Sequence, residues 1–423
     1  MDIKIKKSGL SGAIAVPGSK SHSIRAAACG MLGNGISLIH SPLDSADTKS
    51  CLGAAMKYGA QVAITPELWT ITGHSGKLRS PKGVVDLGNS GTSLCVLAGI
   101  AAAMDFPTTF DGDDSLRSRP MAIQLDALAE LGARVESNGG KCPITIQGPL
   151  TGGSTEIIGT SSQYLTGLLF AAPLAKGTVE IRVRDLNEKP YVEITLDWLR
   201  RLGIRFEAAA DLSYFRIEGN QSYPAFEWVI PADFSTAAFP LLGSAVTGGV
   251  IDIRNLDFED PQGDKAVFDF FRRMGMTIET KNNSTKVFGS CSLQGGDFDL
   301  NATPDALPAM AVAGTFCRGT TRLSNVPQAR IKETDRIACM RQELEKMGAK
   351  ISELPDGLVI EGSPLRGAVV DGHGDHRIVM ALAIAGMGAE GETIVTGAEA
   401  AAVTYPGFIR DFRKLGANIE VLK

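Results

Sequence analysis

The seven cysteines include no C-x-x-C pair, no apolar stretch exceeds twelve residues, and basic residues do not outnumber acidic ones. Each absence excludes something. An odd cysteine count without close pairs fits neither a disulfide framework nor a zinc site, so buried, reduced thiols are expected. The longest apolar stretches, Leu94 to Met104 and Ile378 to Ala389, have eleven and twelve residues, where a bilayer span needs about twenty. With 42 Lys+Arg against 47 Asp+Glu the net charge is −5, unlike a protein that coats nucleic acid. No G-x-x-x-x-G-K-[ST], G-x-S-x-G or H-E-x-x-H occurs, and no G-x-G-x-x-G follows a strand pattern. P-loop nucleotide binding, serine hydrolysis, zinc proteolysis and dinucleotide binding therefore have no support. His373 and His376 lie near Asp371 and Asp375, but Gly372 and Gly374 make that segment a turn, so no metal site is expected. The opening MDIKIKKSGL alternates like a strand and has no apolar signal core. A cytoplasmic, soluble, monomeric protein is the expectation.

What the sequence does contain is a repeat. Helix-forming residues, an apolar residue, a glycine and a short alternating strand recur at Gly59, Gly132, Gly203, Gly275, Gly348 and Gly416, with gaps of 73, 71, 72, 73 and 68 residues. Glycine takes the left-handed position that stops a helix, and a strand leaves from it. A second pattern keeps the same interval. Six apolar, Ala/Gly-rich helices open near Ser21, Ser90, Ser162, Ser235, Asp305 and Asp375. Helices apolar on every side belong in a core, whereas the glycine-stopped helices carry Arg, Lys and Glu faces and belong outside. Strands are predicted at Ala13–Val16, Ser37–His40, Thr178–Val183, Val250–Ile253, Thr320–Leu323 and Thr393–Thr396. Three units of about 70 residues make a domain of ordinary size, so two α/β domains of three units each account for the chain.

Polar residues concentrate where the apolar helices begin. A helix N-terminus presents free N–H groups and partial positive charge, and so attracts phosphate or carboxylate. Ser, Asn and Asp also serve there as plain N-caps. Basic residues beside several openings favour the anion-binding reading: Lys20 and Arg25 in PGSKSHSIR, Arg117 and Arg119 in SLRSRP, Arg330, Lys332 and Arg336 in ARIKETDRI, and Arg377 in GDHRI. The ARIKETDRI run also holds Glu333 and Asp335, so part of it reads as a salt-bridged helix start.

The motifs PGSKSHSIR, LGNSGTS, SRPM, SSQYLTGLL, PDALPAMAV, IKETDRI, GDHRI and TYPGF stand in one order along essentially the whole chain. In that order and spacing the chain resembles the EPSP synthase family of enolpyruvyl transferases (3-phosphoshikimate 1-carboxyvinyltransferases). The resemblance implies an inside-out α/β barrel in two lobes, with six βαβαββ-like repeats and buried helices. One lobe would comprise residues 1–18 and 232–423 and the other 19–231, with the active site in the cleft between them. It implies transfer of the enolpyruvyl group of phosphoenolpyruvate to the 5-hydroxyl of shikimate 3-phosphate, without metal or cofactor. Carried over residue by residue, Lys20, Ser21, Arg25, Ser161, Ser162, Gln163, Asp305, Gln328 and Lys332 would meet the acceptor. Lys20, Asn89, Gly91, Arg119, Gln163, Arg336 and Arg377 would hold phosphoenolpyruvate. Asp305 would accept the hydroxyl proton, Glu333 would protonate the methylene carbon, and Lys20 would assist. A carboxylic acid and a base suit an addition that delivers a proton to carbon, and arginine pairs bidentately with phosphate and carboxylate.

The sequence departs from the family pattern at several points. Cys95 stands where relatives commonly have Arg, and Gln328 where many have Asn. Val403 stands where one branch has a phosphoenolpyruvate-binding Lys. Glu188 aligns with a Ser or Thr that helps bind the acceptor phosphate. Two like charges 4 Å apart repel by about 4 kcal/mol at an effective dielectric near 20, so Glu188 is expected to turn away or the acceptor to lack a phosphate there. The alternatives are a relative acting on another cyclic polyol or catalysing only an elimination, and a non-enzymatic binding protein. The sister enzyme acting on UDP-N-acetylglucosamine fits poorly, because the segment Phe110–Pro120 lacks the reactive cysteine usual in it.

Overall fold

All six helix-stopping glycines are left-handed, with φ of +98° at Gly59, +107° at Gly132, +70° at Gly203, +100° at Gly275, +90° at Gly348 and +108° at Gly416. The outer helices they end are Ala46–Lys57, Ala122–Glu130, Lys189–Arg201, Ala266–Arg273, Arg336–Lys346 and Phe408–Lys414. This computed structural model describes residues 1–290 and 292–422; the seventh cysteine, Cys291, lies outside the described residues. Of the other six, five are buried and Cys339 is half-buried. No helix of the described residues is long and apolar enough to cross a membrane.

The chain divides into two compact units, Met1–Pro17 with Pro231–Lys423, and Gly18–Ile230. The second holds the buried helices Lys20–Leu32, Gly91–Ala102 and Ser162–Ala171; the first holds Phe234–Thr247, Leu307–Thr315 and His376–Gly388. Their openings follow capping chemistry. Ser19, Ser161, Asp233 and Asp375 accept a backbone N–H from the first turn of the helix that follows. The second opening differs, the Ser90 hydroxyl donating to Ser93 Oγ at 2.7 Å instead of capping, and so does the fifth. Asp305 lies in a 3-10 turn, Pro304–Ala306, and the α-helix starts only at Leu307, because the Pro304–Pro308 pair constrains the first turn.

Each repeat contributes one four-stranded mixed sheet. In the third, Gly153–Ile158 runs parallel to Val179–Arg184, which pairs antiparallel with Tyr214–Ile217, and Phe206–Ala208 takes the edge. The other five sheets repeat this order. The six predicted strands lie within or beside Ser11–Ala15, Asn34–His40, Val179–Arg184, Val250–Arg254, Thr320–Ser324 and Glu392–Thr396. Alternate strand residues such as Ile181, Phe215 and Ile217 are buried against the helices while their neighbours face out. Each unit is thus an α/β assembly with helices inside and sheets outside.

Three closures are non-local, one of them the parallel pairing of Ser11–Ala15 with Val250–Arg254. Glu227–Val229, at the end of the Gly18–Ile230 unit, returns to pair parallel with Asn34–His40 and completes that unit's first sheet. In the other unit Asp2–Lys6 inserts between Glu392–Thr396 and Asn418–Leu422, with Asp2 opposite Leu422 and Ile5 opposite Ile419. Close approach of backbones requires glycine at one crossing. A Cβ on Gly99 would lie 2.0 Å from the Gly167 carbonyl oxygen, and one on Gly167 would lie 2.2 Å from that of Cys95. The helices Gly91–Ala102 and Ser162–Ala171 therefore touch main chain to main chain.

Candidate active site

In the Gly18–Ile230 unit the polar residues at the second and third helix openings form a connected group with the segment that carries Arg119. Arg119 donates a short hydrogen bond to Asn89 Oδ1 and a longer one, 3.4 Å, to Ser115 Oγ. A Cβ at Gly91 would meet Arg119 Nη1 at 2.5 Å and Gln163 Oε1 at 3.5 Å, so any larger residue would displace the guanidinium from this place. Arg119 Nε is buried and has no partner among the described residues. Gln163 Nε2 donates to Thr92 Oγ1 at 3.1 Å, and Tyr164 donates to the Pro120 carbonyl at 2.6 Å. These bonds bring Asn89, Gly91, Arg119 and Gln163 together. Cys95 lies below them, its Sγ 3.8 Å from Gln163 Oε1 and 3.6 Å from Met121 Sδ. A thiol occupies this place rather than a guanidinium.

Lys20 and Arg25 are drawn to protein groups. Lys20 Nζ lies 3.2 Å from Asp47 Oδ2, and both side chains are largely buried. Arg25 is 2% exposed. It donates to Thr195 Oγ1, Thr166 Oγ1 and the carbonyls of Ser21 and Tyr191, at 2.9–3.3 Å. Burial pulls its guanidinium down to about 10, still charged at neutral pH. Arg25 thereby ties the first buried helix to the third and to the outer helix Lys189–Arg201. Of the other basic residues near the openings, Arg117 pairs bidentately with Asp111 at 2.9 and 2.7 Å and belongs to the surface.

Glu188 does not turn away from the third opening. It has left-handed backbone, φ +56°, and is 1% exposed. Its Oε2 accepts from the Ser162 N–H at 3.0 Å and the Ser162 hydroxyl at 2.7 Å. Ser161 caps the same helix through Gln163 N–H at 3.3 Å. An acidic side chain at a helix N-terminus is electrostatically favoured, and it satisfies the donors that an incoming anion would use.

The other unit holds a denser cluster. Arg336 is fully buried and contacts three carboxylates: Asp375 through Nε at 2.7 Å and Nη2 at 3.2 Å, Asp305 through Nη1 at 2.8 Å, and Glu333 through Nη2 at 2.6 Å. Arg377, also buried, donates to the second oxygen of Asp305 at 2.7 Å. Burial by itself raises the Asp305 carboxyl, but Arg377, Arg336 and Lys332 outweigh that and hold it well below the usual carboxylate range. Burial disfavours the Arg336 charge in turn, yet Asp375, Glu333 and Asp305 raise its guanidinium above an already high value. Asp305, Lys332, Glu333, Arg336 and Arg377 thus form one electrostatic group. Gln328 is buried outside it, donating to the Asn301 carbonyl at 3.0 Å, with its Oε1 lacking a partner among the described residues. Arg330 pairs with Asp335 at 2.7 Å and Glu353 at 2.9 Å and braces the helix start.

Two carboxylates escaped the sequence reading as site members. Asp47, in the first turn of an outer helix, carried no mark that distinguished it from a capping residue. Asp375 was legible as an N-cap, but its two contacts with Arg336 span 39 residues. Among the described residues no group of three or more His, Cys, Asp and Glu could hold a metal ion. The chemical capacity of the clusters is to bind small anions by exchange, substrate oxygens replacing carboxylate oxygens on fixed guanidinium groups.

The family model for EPSP synthase (3-phosphoshikimate 1-carboxyvinyltransferase) matches residues 5–412. A 3-phosphoshikimate 1-carboxyvinyltransferase of Ruminiclostridium cellulolyticum is 46% identical over 424 residues, covering 100% of both chains. The protein of the same name from Methanocella arvoryzae is 42% identical, again with 100% coverage of both. Among solved structures, EPSP synthase from Acinetobacter baumannii superposes with a TM-score of 0.84 at 27% identity, covering 100% of each chain. The enolpyruvyl transferase NikO from Streptomyces tendae shares the fold, with a TM-score of 0.81 at 18% identity over 99% of this chain and 98% of that one. With the repeats, the helix-end clusters and these matches in place, the chain belongs to the EPSP synthase family.

Proposed function

We propose that the protein transfers the enolpyruvyl group of phosphoenolpyruvate to the 5-hydroxyl of shikimate 3-phosphate, releasing phosphate. The observation that carries this is the Asp305–Arg336–Glu333 contact set with Arg377 on the far oxygen of Asp305, in a chain of this family. Lys20, Asn89, Gly91, Arg119, Gln163, Arg336 and Arg377 are assigned to phosphoenolpyruvate. Lys20, Ser21, Arg25, Ser161, Ser162, Gln163, Asp305, Gln328 and Lys332 are assigned to the acceptor, with Arg25 acting through the scaffold it braces.

Asp305 takes the proton of the attacking hydroxyl while the new C–O bond forms at the enol carbon. Glu333 gives a proton to the methylene carbon, and the adduct is a tetrahedral ketal. Loss of a methyl proton back to Glu333 then expels phosphate, which recovers the proton held by Asp305. Before substrate arrives, Arg377 and Arg336 hold the Asp305 carboxyl well below the usual carboxylate range, and Arg336 also pairs with Glu333. When phosphate and carboxylate oxygens take over Arg336 and Arg377, Asp305 becomes a stronger base and Glu333 gains its proton more easily. Binding thereby arms the acid and the base together. A monomeric, cytoplasmic enzyme acting on small molecules belongs to the same proposal, supported by the net charge of −5 and the absence of a C-x-x-C pair.

Phosphate release from phosphoenolpyruvate is the test, with shikimate 3-phosphate, shikimate or no acceptor. Turnover confined to shikimate 3-phosphate is expected; silence with all three removes the proposal. One observation favours a second reading. Glu188 already occupies the Ser162 donors, which suits an acceptor lacking a phosphate at that position. Glu188→Ser is expected to lower KM for shikimate 3-phosphate about tenfold, since relief of about 1.4 kcal/mol is one decade. Turnover with shikimate alone, together with an unchanged KM in the variant, transfers support to the second reading.

A further inference from the structure

One fully buried carboxylate lies outside the clusters above. Glu343 follows Arg336 by two helical turns on Arg336–Lys346 and is 0% exposed. Its Oε2 accepts the Asp371 N–H at 2.8 Å, and its Oε1 lies 2.8 Å from His373 Nε2. Lys346 Nζ reaches both oxygens, at 2.9 and 2.7 Å. Burial raises the Glu343 carboxyl, but Lys346, the Asp371 amide and His373 overcome this and hold it below its ordinary value.

The turn that Glu343 grips leads directly to the site. His373 has φ +50°, and its N–H closes onto Asp371 Oδ1 at 2.8 Å. Asp375 N–H bonds the Gly372 carbonyl at 2.9 Å. A Cβ on Gly372 would strike Val379 Cγ2 at 2.3 Å, so the turn sits directly on the helix that follows it. At its far end Asp375 takes Arg336 and caps the helix that carries Arg377, accepting the Arg377 N–H at 2.9 Å. One helix therefore holds the turn at both ends, Arg336 on Asp375 and Glu343 on Asp371 and His373.

We propose that Glu343 is a positioning residue: through His373 and the Asp371 amide it sets the turn that aims Asp375, and with it Arg336 and Arg377, at the anionic substrate. This rests on the assignment of those arginines to phosphoenolpyruvate. An ordinary buried ion pair contributes to stability alone, whereas a positioning residue also separates the kinetic constants. Loss of the charge should loosen anion binding while leaving the acid and the base in place.

The test uses the full chain with Glu343→Gln and, separately, His373→Asn, since Asn tolerates left-handed backbone. Two readouts are taken: steady-state kinetics, and amide hydrogen exchange at Asp371, His373, Asp375 and Arg377. For both variants the expectation is faster exchange confined to this turn and a KM for phosphoenolpyruvate raised about tenfold, the scale of one charge-assisted hydrogen bond. The acceptor KM and kcat should stay within about twofold, below the roughly fivefold that marks the smallest typical coupling between distant sites. Glu343→Asp should recover part of the KM. Unchanged exchange at the turn overturns the inference, as does a fall in kcat with KM intact. If Glu343→Gln fails to fold, His373→Asn alone decides by the same criteria. A parent protein without turnover defeats the proposed function, while the exchange readout still judges the clamp.

Discussion

Asp305 sits between two guanidinium groups, and its ionisation is bound up with theirs. Its folded-state affinity for protons is lowered relative to the unfolded chain, so its contribution to stability is present above the unfolded carboxyl value of about 4. That contribution is lost as pH falls further, through the depressed folded value. Asp305→Asn should therefore differ most in stability from the parent near neutral pH, with the gap narrowing below about pH 4 in denaturant titrations. Its turnover should drop at least about a hundredfold, the contribution of a general base, while phosphoenolpyruvate still binds. A variant that turns over normally would remove Asp305 from the proton path. At this scale the sequence showed which residues carry charge beside helix openings. It did not show their partners. Lys20 with Asp47, Arg336 with Asp375 and Glu343 with His373 are pairs separated by 27, 39 and 30 positions; only the fold sets those distances.

At the scale of elements, the helix Ser162–Ala171 carries the third opening and crosses Gly91–Ala102 at a backbone contact. Gly167→Ala would drive a methyl group into the Cys95 carbonyl, the Gln124 amide lying 2.1 Å from the same point. Such overpacking costs about 1–3 kcal/mol or more, and denaturant unfolding should show it as a lower midpoint with unchanged slope. A midpoint equal to the parent's would mean that the helices separate freely. Because Gln163 lies one turn from this crossing, a raised KM for phosphoenolpyruvate should accompany the loss of stability. The helix stops were legible because left-handed backbone demands glycine, and the starts because capping demands Ser or Asp. The 3-10 opening at Pro304–Ala306 was not, since a proline pair is compatible with either geometry. Arg25 was read as a ligand group, and its buried bonds to Thr166, Thr195 and Tyr191 became visible only once two helices were packed.

The whole molecule contains one continuous unit and one assembled from both ends of the chain. Residues 18–230 hold three complete sheets, the first closed by Glu227–Val229, so this fragment should fold alone with a cooperative thermal transition. Residues 231–423 without the first seventeen lack the central strand Asp2–Lys6 and the buried Ile3 and Ile5. That fragment should expose apolar surface and bind a hydrophobic dye, and a peptide of residues 1–17 added in trans should restore its fold. Independent folding of residues 231–423 would show that the strand is dispensable. The six-fold repeat was plain from glycine spacing, but the sheet that the first strand joins was not. Pairing Asp2 with Leu422 leaves no local pattern.

The same pairing orders events on the ribosome. Asp2–Lys6 is made long before its partner Asn418–Leu422, so its two alternating isoleucines lack their sheet while the residues between are made. If residues 18–230 fold alone as expected, that unit is complete before the strand finds its partner. Until Glu392–Thr396 and Asn418–Leu422 are made the strand has no sheet to join, so chaperone binding to the nascent protein is expected at this segment.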